Sequence, residues 1–244
     1  MQIGLFIPCY IDQFYPQVGI ATLELLEKQG LEVGYPQGAT CCGQPMANSG
    51  CEGDSRAAME GFVRAFADFD YIVMPSGSCA LHVREHFGLL GDAEAVRHVR
   101  EHTYELCSFL VDVLRCEDFG ARFPHRVGLH LSCHGQRGLR LAQSSELVAP
   151  PFSKMRSLLS KVEGLELIEL DRPDECCGFG GTFAVAEAAL SVKMGRDRIR
   201  DHQQHGAEVI TAGDMSCLMH LEGLIRRERL PVQIKHIAEI LNAS

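Results

Sequence analysis

Four landmarks occur twice along the chain in the same order, and this repeat limits the folds that are open to it. Each half begins with an apolar stretch that ends in a cysteine and continues with a Gly-Leu-Glu segment. A Cys-Cys-Gly triplet and a Ser-Cys dipeptide then follow in both halves. The eight cysteines of these landmarks are Cys9, Cys41, Cys42 and Cys79 in the first half, and Cys133, Cys176, Cys177 and Cys217 in the second. Ordered self-similarity of this kind indicates a duplicated unit, here of about 120 residues.

Strand and helix patterns alternate within each half. Apolar runs typical of buried strands precede the landmark cysteines, at residues 2–8, 31–35, 70–75, 126–132, 165–170 and 207–211. Helical spacing occurs near residues 53–68, in an amphipathic segment at about 92–115, and after Gly181, where Phe183, Ala186, Leu190 and Met194 share a face. This alternation predicts an α/β fold of two Rossmann-like, cysteine-rich halves with parallel sheets and an internal pseudo-twofold duplication. We place the domains at residues 1–120 and 121–244.

Every landmark cysteine lies just after a predicted strand. Parallel strands all end at one edge of their sheet, and α/β folds place their sites at that carboxyl edge. We therefore expect the four cysteines of each half to meet in one pocket.

Four thiolates are the usual ligands of a [4Fe–4S] cluster, and they also suffice for zinc. Structural zinc sites usually use C-x₂₋₄-C knuckles, which neither half contains, so the pattern favours iron–sulfur. Direct redox chemistry of the vicinal thiols is a third interpretation, although neighbouring cysteines form a disulfide only with strained geometry. All three remain open at this point.

Composition excludes several classes of protein. The 244-residue chain has a formal net charge of −9, which argues against nucleic-acid binding. No stretch approaches the length of a transmembrane helix, and the N-terminus resembles a first strand instead of a signal peptide. Since 11 cysteines without a secretory signal indicate a reducing compartment, we expect a cytoplasmic protein with metal-binding or redox thiols.

Longer motifs around the cysteines resemble those of the CCG cysteine-rich domain family, to which the cysteine-rich component of heterodisulfide reductase and the glycolate oxidase iron–sulfur subunit belong. The similarity is closer to the lactate-utilisation protein A family. It covers essentially the whole chain, and it is carried by the segments Cys41-Cys42-Gly43-Gln44-Pro45, Pro75-Ser76-Gly77-Ser78-Cys79, Pro124-His125-Arg126-Val127-Gly128-Leu129-His130 and Glu175-Cys176-Cys177-Gly178-Phe179-Gly180-Gly181-Thr182-Phe183. The resemblance implies a role in oxidising L-lactate to pyruvate with other subunits, among them a second iron–sulfur protein.

The chain departs from the heterodisulfide reductase component at one place. That protein ends each motif with CxxC, whereas here either Ser76 and Asp214 or His82 and His220 occupy the missing cysteine positions. Each half therefore offers four thiolates and not the set of five found in that protein, and we expect one ordinary cubane cluster per half. His82, His220 and Cys51 are additional candidate ligands. Cys107 and Cys116 are expected to be buried structural thiols.

The function predicted from these features is electron transfer through iron–sulfur clusters within an L-lactate oxidation system. No G-x-G-x-x-G fingerprint follows the first strand, so two-electron chemistry is expected to need a flavin or an equivalent group on a partner. The alternatives are a thiol/disulfide oxidoreductase that uses the vicinal cysteines and a zinc-stabilised assembly scaffold.

Overall fold

The computed structural model describes residues 1–243, and this part of the chain forms two four-stranded parallel sheets. The first sheet has the order β2-β1-β3-β4, with β1 at Gln2–Leu5, β2 at Glu32–Gly34, β3 at Tyr71–Met74 and β4 at Thr103–Glu105. The second has the order β6-β5-β7-β8, with β5 at Arg126–Leu129, β6 at Glu166–Leu167, β7 at Val209–Ala212 and β8 at Gln233–His236. Because the two orders are equivalent, the predicted duplicated α/β architecture is confirmed.

Helices connect the strands of both sheets. The first half contains α1 (Cys9–Phe14), α2 (Pro16–Lys28), α3 (Gln44–Asn48), α4 (Glu52–Phe66), α5 (Gly77–His86), α6 (Glu94–His102) and α7 (Leu106–Ser108), with a 3₁₀ turn at Phe87–Leu90 and a π-helical turn at Phe109–Val113. The second half contains a π-helical turn at His134–Gly138, followed by α8 (Lys154–Leu159), α9 (Phe183–Ala186), α10 (Ala188–Gln204), α11 (Met215–Glu228) and α12 (Ile237–Leu241).

The prediction of a single helix over residues 92–115 is wrong. The segment forms α6, then β4, then α7 and a π-helical turn. Thr103 and Glu105 are fully buried on either side of the half-buried Tyr104, so the exposure alternates as it does in a strand. Pairing with β3 thus outweighs the helical spacing of the surrounding apolar residues.

The helical face predicted after Gly181 is also wrong. The helix is interrupted at Glu187, and Leu190 lies on the exposed side of α10. The buried side of α10 carries polar residues instead, among them Arg198 and His202. Tertiary packing against β5 therefore selects a face that hydrophobic spacing alone did not indicate.

The two halves share a hydrophobic core. One continuous cluster joins Leu25 of α2 with Ile240 and Leu241 of α12, and it extends through both sheets. A hydrogen bond of 2.6 Å from the Asn242 side-chain amide to the Glu24 carboxylate lies at the edge of this contact. The C-terminal helix of the second half therefore packs on the first half.

The carboxyl edges of the two sheets face each other. Ser76, which follows β3, forms an antiparallel bridge with Asp214, which follows β7. Beside this bridge, the Gly77 amide donates a hydrogen bond of 3.3 Å to the Gly213 carbonyl. The segments that follow β3 and β7, each of which carries a landmark cysteine, are thereby held side by side. Within residues 1–243, no helix is both long enough and apolar enough to cross a membrane.

Candidate metal centre

The four landmark cysteines of the first half lie together at the carboxyl edge of its sheet. Cys9 begins α1, Cys41 and Cys42 lie in the loop before α3, and Cys79 is in the first turn of α5. The Sγ atoms of Cys9 and Cys41 are 3.8 Å apart. The Cys42 thiol in turn lies close enough to Cys41 and to Cys79 for both to raise its pKa. We call these four residues the first cysteine set.

The second half repeats this arrangement. Cys133 ends the loop after β5, and Cys217 is in the first turn of α11, as Cys79 is in α5. Cys133 and Cys177 both lower the pKa of Cys176, and Cys176 and Cys217 both raise the pKa of Cys177, so these thiols are close neighbours. These four residues are the second cysteine set. All eight cysteines that the sequence singled out are thus brought into two groups of four.

Backbone amides point at the sulfurs of both sets. The Gly43 amide donates to Cys41 Sγ and the Gly178 amide donates to Cys176 Sγ, both over 3.4 Å. Gly178 has a φ of +88°, and a Cβ at this position would lie 2.8 Å from a backbone carbonyl of α10. Only glycine fits such a conformation and such a close approach without strain. The glycine after each cysteine pair therefore allows the amide to reach the sulfur.

The pKa of one thiol in each set is lowered by its neighbours. Hydrogen bonds from the Cys42 and Cys9 thiols lower the pKa of Cys41 to about 2. Equivalent hydrogen bonds from its neighbours lower the pKa of Cys176 to about 2. The hydrogen bond to Cys41 raises the pKa of the enclosed Cys42 thiol well above its usual range. In each set the surroundings thus favour the thiolate form of one cysteine, which is the form that binds metals.

The spacing of the sulfurs bears on the group that they could hold. Within residues 1–243, no three sulfurs of either set lie within 4.8 Å of one another. A tetrahedral zinc ion with Zn–S bonds of about 2.3 Å requires all four sulfurs within about 3.8 Å, which is the separation of Cys9 Sγ and Cys41 Sγ. Four thiols with backbone N–H groups directed at the sulfurs suit a thiolate-bound metal group, either zinc or an iron–sulfur cluster.

The additional candidate ligands differ in their surroundings. His82 is buried, its Nε2 has no partner among residues 1–243, and burial lowers the pKa of its imidazole to about 4. The Nε2 of His220 lies 3.3 Å from the Ser191 carbonyl. Cys51 is exposed, and Cys107 and Cys116 are buried as expected.

His130 is a residue of this region that the sequence reasoning missed. It follows β5 and is fully buried, and neither of its ring nitrogens has a partner within the described chain. One ligating atom of His130 and the sulfurs of Cys177 and Cys217 all lie within 4.8 Å of one another. The available signal was a histidine inside an apolar strand segment, at the place that Phe6 occupies in the first half.

A polar network lies between the two cysteine sets. The Tyr10 hydroxyl lies 3.1 Å from Ser76 Oγ and 3.3 Å from an Asp214 carboxylate oxygen. Burial raises the pKa of the Tyr10 phenol well above its usual range, and the charge of Asp214 adds to the effect. Cys79 and Cys217 lie close enough to the phenol to raise this pKa further. Ser76 and Asp214 therefore join the two halves at a point between the two cysteine sets.

A cavity of about 410 Å³ lies outside the cysteine sets, between the halves. Its wall includes Arg84, Arg140, Lys154 and the buried Glu105. The Oε1 of Glu105 has no partner within the described chain, and burial raises the pKa of this carboxyl group to about 7.

Comparisons with known proteins agree with the duplicated cysteine pattern. The family model described as "Cysteine-rich domain" (CCG) matches residues 3–84 and 127–222. Lactate utilization protein A of Geobacillus thermodenitrificans is 44% identical over 246 residues, which cover 99% of both chains. Lactate utilization protein A of Bacillus subtilis is 40% identical, with both chains covered completely. A solved glutamate racemase, RacE1 of Bacillus anthracis, covers 98% of this chain and 78% of its own at 11% identity, but its TM-score of 0.36 is too low to support any inference.

Proposed function

Since the chain belongs to the lactate utilization protein A family of cysteine-rich CCG proteins, we propose that it takes part in lactate utilisation. Both family relatives named above carry this description, and the similarity extends over the full length of either chain. The proposed role is that of an electron-transfer subunit in a system that oxidises L-lactate to pyruvate.

In this proposal each half holds one iron–sulfur cluster of the [4Fe–4S] type. The ligands would be the first cysteine set, Cys9, Cys41, Cys42 and Cys79, and the second, Cys133, Cys176, Cys177 and Cys217. The observation that carries the proposal is the occurrence of two equivalent groups of four sulfurs, each with a glycine amide directed at one of them. Such a cluster supplies one-electron transfer. The division into domains at 1–120 and 121–244 forms part of the same proposal.

The residues of the chain have two tasks in this role. The thiols bind the clusters, and the backbone N–H groups and the surrounding apolar side chains set the reduction potentials. Removal of two electrons from lactate is assigned to a partner subunit with a flavin or an equivalent group, and a second iron–sulfur protein is expected in the same cytoplasmic assembly.

Anaerobic purification with metal and sulfide analysis tests this function. Two [4Fe–4S] clusters correspond to about eight iron and about eight sulfide per chain, with broad absorption near about 400 nm. Bound zinc without sulfide would contradict the proposal and would favour a zinc-stabilised assembly scaffold. Free thiols that cycle with a disulfide, without any metal, would favour the oxidoreductase function.

A further inference from the structure

His130 is fully buried, and its ring needs a hydrogen-bond partner. A neutral or charged imidazole carries at least one N–H donor, and a buried donor without a hydrogen bond destabilises the folded protein. Both nitrogens of His130 lack a partner among the residues that the structure describes. The sulfurs of Cys177 and Cys217 lie within 4.8 Å of one of its ligating atoms. The missing partner is therefore expected on the side of the second cysteine set.

The first half shows what the position looks like without a histidine. Phe6 follows β1 as His130 follows β5, and its ring packs edge-on against Phe66 at a centroid distance of 5.9 Å. Phe66 covers the central glycine of its strand, Gly4, as His202 covers Gly128. An apolar aromatic pair in one half is thus replaced by two buried histidines in the other.

The comparison of the two halves also indicates that His130 acts as a hydrogen-bond donor and not as a metal ligand. The first cysteine set has its four thiols grouped with Phe6 at the corresponding place, so in the proposed function this half binds its cluster through cysteines without a histidine at that position. The second set has the same four thiols at equivalent positions. His130 is additional to them, and it replaces none of them.

We propose that His130 donates a ring N–H hydrogen bond to the group held by the second cysteine set, and that this bond gives the second site the higher reduction potential of the two. The inference rests on the proposed iron–sulfur function. Reduction adds one negative charge to a cluster, and an N–H dipole directed at it stabilises the reduced form. The first site has Phe6 at the equivalent place, which offers no such donor. The other histidine near each set, His82 near Cys41 and His220 near Cys176, occurs in both halves and does not distinguish them. An electron shared between the two sites therefore resides on the second.

The test is a redox titration of the full chain, loaded with iron and sulfide and followed by electron paramagnetic resonance. His130→Phe copies the residue that the first half already uses, and it removes the donor while the aromatic volume is largely kept. We expect the higher of the two midpoint potentials to fall, the lower one to stay, and the iron content to remain complete. Adding Cys42→Ser, which removes a ligand of the first site, identifies the signal of the second.

Two further variants guard against indirect effects. His130→Gln keeps an N–H donor and is expected to restore much of the potential, so a fold that does not tolerate phenylalanine leaves the proposal testable. His202→Phe is the matched control, because this histidine is equally buried and unpartnered but forms no close group with two thiols. It is expected to leave both potentials unchanged.

Four results would overturn the inference. Unchanged potentials in His130→Phe with full iron content would exclude the hydrogen bond and leave the proposed function intact. Loss of about half of the iron in that variant would make His130 a ligand instead of a donor. An equal shift in His202→Phe would indicate a general effect of burial. Absence of iron and sulfide from the unmodified protein would remove the proposed function itself, and the inference with it.

Discussion

Burial alone does not distinguish the cysteines that are proposed as ligands. Cys42 and Cys107 are both buried, but Cys42 lies beside two further thiols, whereas Cys107 lies beside the Glu105 carboxyl group. We expect Cys42→Ser to remove about half of the iron, because it takes one of four ligands from one of two clusters. Cys107→Ser is expected to leave the iron content unchanged. Iron analysis of the purified variants measures both effects.

Stability has to be measured beside the iron content. A buried serine hydroxyl without a partner costs about 1–3 kcal/mol, and a misfolded variant would lose iron for that reason alone. Urea unfolding of both variants separates the two causes. Similar iron loss in folded Cys42→Ser and folded Cys107→Ser would contradict the proposed ligand set.

Glu105 is expected to make the stability of the protein depend on pH. Burial raises the pKa of its carboxyl group from 4.5 to about 7 in the folded protein. Between these pH values the folded chain binds the additional proton, so the free energy of unfolding falls as the pH rises. The loss totals about 3 kcal/mol and is complete above about pH 7. Glu105→Gln should remove this slope.

Urea unfolding of the reduced, metal-free protein at several pH values tests the Glu105 prediction. Glu27→Gln, a change of the same kind on the exposed side of α2, serves as the control and should keep the slope of the unmodified protein. A slope that persists in Glu105→Gln would assign the pH dependence to other groups.

At the residue scale, the sequence predicted the positions whose chemistry is unusual and missed those whose surroundings are unusual. The eight landmark cysteines could be found because thiols that recur at equivalent strand ends point to metal or redox chemistry. His130 and Glu105 gave no comparable signal, since a histidine or a glutamate is common in any sequence. Their significance lies in complete burial and unpartnered atoms, which only packing shows.

At the scale of elements, the loop after the second cysteine pair depends on its contact with α10. A Cβ at Gly178 would lie 2.7 Å from Met194 Cβ and 2.8 Å from the Ser191 carbonyl. We expect Gly178→Ala to cost about 1–3 kcal/mol for the left-handed backbone, and a further amount of about the same size for the clash. It should also weaken iron binding, because the displaced amide no longer reaches Cys176 Sγ.

Gly30→Ala is the matched control for Gly178→Ala. Gly30 has a similar φ of +76°, but nothing lies within 4 Å of a Cβ placed there. Its substitution is expected to show the backbone cost alone and to leave the iron content complete. Equal destabilisation of the two variants in urea unfolding would mean that the loop and α10 separate easily.

The elements that the sequence predicted well are the central ones. Strands β1, β3, β5 and β7 are apolar and buried by helices, so their composition alone indicates them. Of the four outermost strands, β2 and β6 were predicted, whereas β4 and β8 were missed. All four pair with only one neighbouring strand, but β4 and β8 also contain polar residues and lack a clear apolar run. Their conformation is decided by pairing with β3 and β7, which is a long-range effect.

At the scale of the whole molecule, the two halves are expected to depend on each other. The continuous core joins α2 to α12, and Tyr15 of the first half donates a hydrogen bond of 2.6 Å to Glu222 of the second. A fragment of residues 1–120 or 121–244 alone would expose apolar surface of this core, and burial contributes about 25 cal/mol per Å². We therefore expect neither fragment to fold alone.

Circular dichroism and urea unfolding of the separate fragments test this dependence, and co-expression of both fragments provides the control. The co-expressed fragments are expected to associate and to show a cooperative unfolding transition. A cooperative transition in one isolated fragment would show that this half is an independent domain.

The bridge between Ser76 and Asp214 has a consequence for how such a chain can diverge. The two residues hold equivalent places, since each caps the helix that carries the last cysteine of its set. In a symmetric homodimer of a single unit, a residue at this place would face its own copy across the twofold axis. Two aspartates would repel each other there, and two serines would supply no negative charge. Fusion of both copies into one polypeptide allows two different residues, a serine and an aspartate, to meet on the axis. The two halves can then differ in their electronic properties.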